Sequence, residues 1–322
     1  MASPWRLRVI AFVFLAGFTA SSFADSALPR CLFVSSYHQG YAWSDGVERG
    51  LRRALAQRCE LRQFDMDTKR AQSEMQKQAA AAAAKALIES WKPDVVIAAD
   101  DNAAKYLIAP YFRDAKIPIV FCGINWTAKE YGFPYQNVTG MVEVAPIGPL
   151  LKWAARMVPS ATRAAYIGAD TLTESKNVKR FQSVTGPLGI ALEAHLVGST
   201  DAWVTAYERS QSADFVILGS FSGINDWDED AVEKSLLAAS RRLSVTNHEW
   251  MMPYAMVGLT KVAEEQGHWA GMTATAILDG MSPQDIPIIA NQTWDIWANE
   301  RLLRRAEIRL PRALRKKAKR VE

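Results

Sequence analysis

Short apolar runs alternate with longer amphipathic stretches along most of this 322-residue chain, and this alternation constrains the fold more than any other feature. Runs such as 94–100 (DVVIAAD) and 117–123 (IPIVFCG) are almost continuously apolar. Such runs are typical of parallel strands that are covered by helices on both faces. The stretches 44–56 and 73–91 instead space their apolar residues for a helix. Repeated strand–helix order predicts a doubly wound α/β architecture.

The same strand–helix order occurs in two series of similar size. The second series begins near residue 137 and includes the predicted strands 163–169, 190–197 and 214–221. A strand-like run at 254–259, a helix over 260–278 and a last strand at 285–291 follow it. The sequence therefore predicts two α/β lobes of comparable size.

Polar and aromatic side chains gather where the predicted strands end. Those that we expect to bind a ligand are Ser35, Ser36, Tyr37, His38, Tyr41 and Trp43, then Asp100, Asp101 and Asn102, then Gly123, Asn125 and Trp126, then Asp170, and finally Ser220, Phe221, Asn225 and Asp226. Ligands of open α/β sheets bind outside the carboxyl ends of the strands. Hydroxyls, amides and aromatic rings supply directional hydrogen bonds and stacking area. These positions predict one wall or more of a cleft for a small polar molecule.

Catalytic and metal-binding interpretations of these residues are weaker. Asp100 and Asp101 could act as an acid–base pair, bind a metal, or cap the following helix, and capping is the commonest role. Ser36 and His38 lie close in sequence, but no G-x-S-x-G elbow is present. H-x-x-x-H and C-x-x-C pairs, the phosphate-binding G-x-x-x-x-G-K-[ST] loop and a G-x-G-x-x-G turn are also missing from the sequence. We therefore expect no enzyme activity, no metal and no cofactor. Ser44 is expected to cap the first helix.

The first 24 residues have the pattern of a cleavable signal peptide. Arg6 and Arg8 precede an apolar core, and Ser22-Phe23-Ala24 is a small-x-small cleavage site. We expect the rest of the chain to be exported to the periplasm as a soluble protein. In an oxidising compartment Cys31 and Cys59, at the starts of the first two predicted strands, could form a disulfide, or both could stay reduced. Cys122 is expected to be free.

The net charge of +4 comes from one segment of the chain. Residues 301–322 contain ten Lys or Arg and two acidic residues, whereas residues 25–300 contain 26 basic and 32 acidic residues. A basic body that could follow a nucleic-acid backbone is therefore missing, and we expect no nucleic-acid partner.

Six segments of the sequence carry a resemblance to a known family. They are SSYHQGYAWSDGVERGL, FDMDTKR, KPDVVIAADDNAAKYLIAPYFRDAKIPIVFCGINW, NVTGMVEV, YAMVGLTKVAEEQGHWAG and ILDGMSPQDIPI. These segments resemble ABC-transporter substrate-binding proteins with the type I periplasmic binding protein fold. The resemblance covers residues 30–295. It implies lobe one at 28–142 plus 256–287 and lobe two at 143–255. It also implies that the chain crosses between the lobes three times, near 139–143, 252–256 and 287–291. Residues 288–322 would then form a final crossing and a basic helical tail.

The resemblance further implies that the ligand is held between the lobes. Helix starts at Ser44 and Asn102 would hold a ligand carboxylate through backbone N–H groups. Asp101, Glu143 or Asp226 would bind a ligand amine. The basic tail is expected to be a solvated helix on lobe one or to contact anionic lipid or an acidic partner.

The sequence is compatible with three functions. The leading one is a monomeric periplasmic protein that captures an amino acid, a sugar or another small polar solute and delivers it to an ABC permease. The second is a ligand-sensing module for a membrane receptor kinase or cyclase. The third, an exported hydrolase, is disfavoured because the sequence shows no set of nucleophile, base and orienting residue.

Overall fold

A computed structural model describes residues 28–71 and 73–321, with Leu172 described by its backbone alone. The predicted signal peptide lies outside the described residues. The strands are β1 (Arg30–Ser35), β2 (Glu60–Asp65), β3 (Val95–Ala99), β4 (Ile119–Asn125), β5 (Val138–Glu143), β6 (Arg163–Ala169), β7 (Ala191–Val197), β8 (Phe215–Leu218), β9 (Leu243–Thr246), β10 (Val257–Lys261), β11 (Ile289–Ala290), β12 (Trp294–Ala298) and β13 (Lys319–Arg320).

The helices are α1 (Ala42–Leu55), α2 (Glu74–Trp91), α3 (Asp100–Ala103), α4 (Ala109–Tyr111), α5 (Ile147–Met157), α6 (Leu172–Thr185), α7 (Thr200–Ser210), α8 (Glu229–Ala239), α9 (Ala263–Leu278), α10 (Glu300–Arg305) and α11 (Arg312–Lys317). A π-helical turn over Ala104–Ile108 joins α3 to α4. Within the described ranges, no helix is long and apolar enough to span a bilayer.

Local sequence explains where α2 begins and ends. Ser73 Oγ accepts the N–H of Gln76, and the Gln76 side chain accepts the N–H of Ser73, so both groups of a capping box are paired. The alanine run of this helix favours helix by propensity. Lys92 adopts a left-handed conformation (φ +51°) at the end, directly before Pro93. The helix therefore stops where the chain must turn into β3.

Two sheets, each the centre of one lobe, confirm the predicted α/β architecture. The first has the strand order β11-β5-β4-β3-β1-β2, and the second has the order β13-β12-β10-β9-β8-β6-β7. All pairs are parallel except β10 with β12. The order reverses between β1 and β3 in the first sheet and between β6 and β8 in the second. The carboxyl ends of strands at such a reversal are where α/β sheets bind ligands.

The division of the chain between the lobes differs from the prediction at β10. Residues 256–287 were assigned to lobe one, but β10 pairs with β9 and β12 in the second sheet. The helix α9, which follows directly, does pack in lobe one against α1. The crossings therefore follow β5, β10 and β11. An apolar run such as that of β10 fits either sheet, and its partner β9 was missed because it is only four residues long.

The segment 288–322, expected to be a final crossing and a basic helical tail, also contains a strand that was not predicted. Residues Trp294–Ala298 form β12, which pairs antiparallel with β10, and the helix α10 follows it at Glu300–Arg305. The basic tail follows β12, so it lies on lobe two and not on lobe one. Its strand β13 pairs with β12, with Trp297 opposite Lys319.

Helices α1 and α9 approach each other closely enough to require glycine. A Cβ on Gly50 would lie 2.1 Å from the carbonyl oxygen of Glu264, and one on Gly267 would lie 1.8 Å from that of Val47. Both contacts are with backbone, which cannot move aside. This contact holds α9 in lobe one although the strand before it belongs to lobe two.

A disulfide joins Cys31 to Cys59, with their Cα atoms 5.9 Å apart. Cys31 is the second residue of β1, and Cys59 directly precedes β2, which lies beside β1 in the sheet. The structure thus has the bonded arrangement of the two that the sequence left open. Cys122 is free and buried.

Candidate functional site

Ser36 directly follows β1, at the point where the strand order of the first sheet reverses between β1 and β3. Its Oγ donates to the carbonyl oxygen of Ala99 at 2.5 Å and accepts the N–H of Ala103 at 2.8 Å. The backbone carbonyl of Ser36 accepts the hydroxyl of Thr68, whose Oγ1 in turn accepts Asn102 Nδ2 at 2.7 Å. Ser36 and Asn102 therefore position the start of α3, which lacks a cap from its own N-cap residue. Their polar groups are used within the protein.

Ser35 and Ser44 also belong to the framework. Ser35 is fully buried, and its Oγ accepts the N–H of Tyr37 and lies 3.5 Å from Ser44 Oγ. The predicted cap at Ser44 is wrong, because α1 begins two residues earlier and Tyr41 is its N-cap residue. Ser44 is instead 5 % exposed inside the first turn.

Asp100 is a buried carboxyl group directly after β3, with 2 % of its surface exposed. The indole Nε1 of Trp43 donates to Asp100 Oδ1 at 2.9 Å, whereas Oδ2 has no hydrogen-bond partner in the structure. Burial raises the pKa of Asp100 to about 7, although the Trp43 hydrogen bond favours the charged form. The expected capping role is not present, since the carboxyl group bonds Trp43.

Gly123 provides the space that Asp100 needs. Its φ is +72°, and a Cβ at this position would lie 2.7 Å from Asp100 Oδ1. The N–H of Gly123 donates to Gln266 Oε1 at 2.9 Å, and Gln266 lies on α9. Gly123 therefore joins β4 to α9 and leaves room for the carboxyl group, and it offers no side chain to a ligand.

Aromatic rings from the loop after β1 lie together beside this carboxyl group. The rings of Tyr37 and Tyr41 meet edge to face at 5.2 Å, and Lys69 Nζ lies 4.5 Å from the centre of the Tyr37 ring. Burial, together with the nearby negative charges of Asp100 and Asp101, raises the pKa of the Tyr37 hydroxyl, which stays neutral. The rings of Tyr37 and Tyr41 therefore pack against each other just after β1.

Two other candidates, His38 and Asp101, lie near the rings of Tyr37 and Tyr41. His38 Nδ1 is 3.2 Å from Asp67 Oδ1, at a partly exposed position. Asp101 accepts Asn125 Nδ2 at 2.6 Å and Tyr131 Oη at 2.8 Å. Asp101 is partly exposed and Asn125 is exposed, so this carboxylate is oriented by its neighbours and still reaches solvent. Tyr131 was missed, because it lies six residues beyond the end of β4.

Lys261 is the most informative residue that sequence reasoning missed. It ends β10 in the second sheet, yet its ammonium group pairs with Glu143, which ends β5 in the first sheet. Its Nζ also lies 5.1 Å from the centre of the Trp43 ring. Burial lowers the pKa of Lys261 to about 8, while Asp100 and Asp101 act in the opposite direction. The strand-end pattern that identified the other candidates also fits Lys261, which lies two residues beyond the predicted strand at 254–259.

The Lys261–Glu143 pair shows how the two sheets face each other. Each residue is the last of its strand, so the carboxyl edges of both sheets meet at this point. Trp126 makes a second contact between the lobes: its ring, which follows β4, lies 4.2 Å from the guanidinium carbon of Arg180 on α6. These two contacts therefore join the strand-end sides of the two lobes.

The buried carboxyl group of Glu174 lies near the strand ends of lobe two. Glu174, on α6, accepts Tyr166 Oη at 2.5 Å and the N–H of Ser220 at 3.0 Å. Burial raises its pKa, and the hydrogen bonds from Tyr166, Ser220 and Asn177 oppose that shift. This network fixes Ser220 directly after β8.

His248 and Trp250, which follow the overlooked strand β9, complete this region. Their rings lie 4.6 Å apart, and Trp250 Nε1 donates to Ser220 Oγ at 3.1 Å. Neither ring nitrogen of His248 has a hydrogen-bond partner in the structure, and burial lowers its pKa to about 4. Trp250 is 49 % exposed, which is a large apolar surface at a strand end. Without β9 in the predicted fold, neither residue could be assigned to a strand end.

The remaining lobe-two candidates have varied positions. Phe221 stacks on Trp227 at 4.5 Å, within an aromatic group of lobe two. Asp226 Oδ1 accepts the N–H of Thr200 at the start of α7, and the Asp226 side chain is exposed. Asp170 and Asn225 are exposed at the ends of β6 and of the loop after β8.

The described part of the chain contains no group of three or more His, Cys, Asp or Glu side chains arranged for a metal ion. An open hollow of about 520 Å³ lies between β7 and α7, lined by residues such as His195 and Arg209. It includes none of the candidate residues above, and we base no site on it.

Two parallel-sheet lobes, three crossings of the chain between them and strand ends that face each other define a type I periplasmic binding protein fold. Residues 36–322 match the model of the ABC transporter substrate binding protein family, and the chain belongs to that family. Proteins of this kind bind a small molecule, serve an ABC transporter, are generally not enzymes, and are typically periplasmic or extracellular.

Similar solved structures agree on the fold. A ligand-free, open substrate-binding protein with adhesive properties from Clostridium difficile has a TM-score of 0.70 and 15% identity, with coverage of 92% of this chain and 99% of that one. The ABC domain from Streptococcus pneumoniae in complex with L-Trp has a TM-score of 0.58 and 15% identity, with coverage of 91% and 100%. A solute-binding protein from Agrobacterium vitis, bound to alpha-D-tagatopyranose, has a TM-score of 0.56 and 13% identity, with coverage of 90% and 99%. No curated protein matches the sequence.

Proposed function

We propose that this protein is a periplasmic solute-binding protein that captures a small polar molecule between its lobes and delivers it to an ABC permease. The observation that carries this proposal is the facing of the two carboxyl edges, given by the Lys261–Glu143 pair. Ligand-type chemistry lies at the strand ends on both sides: a carboxylate and aromatic rings in lobe one, and an exposed indole in lobe two. A ligand enclosed there would be shielded from water, which strengthens its polar contacts.

Asp101 is the group that we assign to a ligand amine. Of the three carboxylates considered from the sequence, Glu143 pairs with Lys261 and Asp226 holds the start of α7. Asp101 keeps access to solvent while Tyr131 and Asn125 fix its orientation. A ligand carboxylate would bind at the start of α1, where Tyr41 makes no side-chain cap and the first N–H groups are available.

A thermal-shift screen of amino acids, sugars, purines and organic acids on the purified chain tests ligand capture. A ligand at a hundred times its Kd stabilises the folded protein by about 2.7 kcal/mol. For an amine ligand found in this way, Asp101→Asn is expected to weaken binding by about 10–100-fold, because it removes a charge-assisted hydrogen bond. Asp285→Asn is the matched control, since Asp285 is exposed in the loop that enters β11, beside the opposite end of the sheet.

Equal affinity of the Asp101→Asn variant and the control would show that the amine does not bind there. Trp126→Ala is expected to release the same ligand faster, because it removes the Trp126–Arg180 contact between the lobes. Delivery is tested by uptake of the labelled ligand in cells with and without the protein. Unchanged uptake would contradict delivery to a permease while leaving capture intact.

A further inference from the structure

The segment 301–321, which we call the basic segment, is the source of the net positive charge of the described chain. It contains ten Lys or Arg and one acidic residue, Glu307, whereas residues 28–300 contain 26 basic and 31 acidic residues. The protein is therefore electrically asymmetric, with a mildly acidic body and one strongly basic region. Such an asymmetry orients a protein towards a negatively charged surface.

The basic segment is docked on lobe two by its apolar residues. Leu302 and Leu303 of α10 are 1 % and 3 % exposed in the core of that lobe. Arg301 pairs with Glu233, and Arg305 donates to the carbonyl oxygen of Leu237, so α10 is joined to the region of α8. The strand β13 then returns beside β12. The charges are thus carried by folded structure at one edge of the second sheet.

Most of these charges have no partner within the described protein. Among the described residues, the ion pairs of the segment are those of Arg301 with Glu233, Arg315 with Glu300, and Lys319 with Asp295. Six exposed side chains have no acidic group within 4 Å among the described residues: Arg304, Arg309, Arg312, Lys316, Lys317 and Arg320. Unpaired charges at this density repel each other, and an external anion would relieve that repulsion.

The composition of the segment indicates the kind of anion. Residues 301–321 contain no Phe, Tyr, Trp or Met. A protein partner usually requires buried aromatic anchors at the centre of an interface, and single-stranded nucleic acid requires aromatic rings for stacking. Diffuse attraction between many cations and a charged surface requires neither. Lipid headgroups at a membrane surface bind basic residues in this way, at about 1 kcal/mol per Lys or Arg.

We propose that the basic segment docks lobe two onto a membrane surface that contains anionic phospholipid headgroups. The acidic body would be repelled by the same surface, so the β13 edge of lobe two would face the bilayer. The proposal does not depend on which ligand the cleft holds.

Cosedimentation of the purified chain with vesicles tests this docking. Binding is expected to phosphatidylcholine vesicles that contain phosphatidylglycerol, not to pure phosphatidylcholine, and it should weaken as salt rises because the attraction is screened. Replacing Arg309, Arg312, Lys316 and Lys317 by Ala is expected to lower the partition coefficient at least about tenfold, and up to about a thousandfold if all four contact headgroups. Inorganic phosphate at the same ionic strength as chloride should compete no better than chloride.

The matched control replaces Lys116, Lys129, Lys152 and Lys179 by Ala, which removes the same number of exposed charges outside the segment. It should bind like the unmodified protein. The four segment residues make no ion pair with any residue that the structure describes, so an unchanged thermal midpoint is expected and would report that the variant is folded. Equal losses in both variants, equal binding to both kinds of vesicle, specific competition by inorganic phosphate, or no vesicle binding would each overturn the proposal. No vesicle binding would favour an acidic protein partner instead.

Discussion

Asp100 is expected to make the folded protein less stable as the pH rises from 4 to 7. Burial raises its pKa from 3.8 to about 7, so in this range the folded state keeps a proton that the unfolded state has released. Stability from this group is complete below pH 3.8 and is lost as the pH rises through 7. At 1.36 kcal/mol per pH unit over about three units, the loss is about 4 kcal/mol.

His248 is expected to act in the opposite direction over nearly the same range. Burial lowers its pKa from 6.5 to about 4, so the unfolded state binds a proton that the folded state does not. Stability from this group is complete above pH 6.5 and is lost as the pH falls towards 4, by about 3 kcal/mol. In the intact protein the two effects largely cancel, and each becomes visible only when the other group is replaced.

The assay is urea unfolding of four proteins between pH 4 and 7: unmodified, Asp100→Asn, His248→Gln and the double variant. The free energy of unfolding of the unmodified protein minus that of Asp100→Asn should fall by about 4 kcal/mol as the pH rises. The same difference for His248→Gln should rise by about 3 kcal/mol. Other titrating groups are shared by the four proteins and cancel in these differences. Asn keeps an oxygen that can accept Trp43 Nε1, so the substitution mainly removes the titration.

A free-energy difference that does not vary with pH would refute the reasoning for the residue concerned. Asp285→Asn, at an exposed site, provides the baseline. Because Asp100 and His248 belong to different lobes, separate unfolding of the lobes would assign each pH dependence to its own transition.

Three further predictions concern stability. Lys261→Met is expected to lower the free energy of unfolding in urea by about 2–3 kcal/mol, because it leaves the buried Glu143 carboxylate unpaired. Adding Glu143→Gln should restore most of this stability, and equal stability of the single and double variants would contradict the pairing. Gly267→Ala should lower the free energy of unfolding by at least about 1–3 kcal/mol, since its Cβ would meet the Val47 carbonyl. Gly186→Ala, whose Cβ would have no atom within 4 Å, should cause a smaller loss of stability, and a larger loss at Gly186 than at Gly267 would argue against the α1–α9 contact. Replacing Cys31 and Cys59 by Ser should cost about 3–4 kcal/mol on the chain-entropy estimate, and dithiothreitol should then have no further effect on the thermal midpoint, unlike on the unmodified protein.

Sequence reasoning placed the residues that follow β1 and β3 correctly at strand ends, but it did not assign their roles correctly. The loop after β1 and the paired aspartates after β3 were both placed at strand ends, and the structure brings them together at the reversal between these strands. Ser35, Ser36 and Asn102, however, turn out to be framework residues. A serine that binds a ligand and a serine that caps a distant helix look the same in sequence, because the Ser36–Ala103 bond joins residues 67 positions apart.

Periodicity and apolar continuity are properties of neighbouring residues, so the sequence by itself determined two α/β lobes and the chemistry at most of their strand ends. The tertiary structure alone decided that β10 joins the second sheet, that the basic segment lies on lobe two, and that Cys31 and Cys59 are bonded. It also decided that Lys261 at the end of β10 pairs with Glu143 at the end of β5, beside two of the crossings. Each of these outcomes depends on partners far away in the chain, and a short apolar strand or a single lysine has several such partners available until the whole fold is formed.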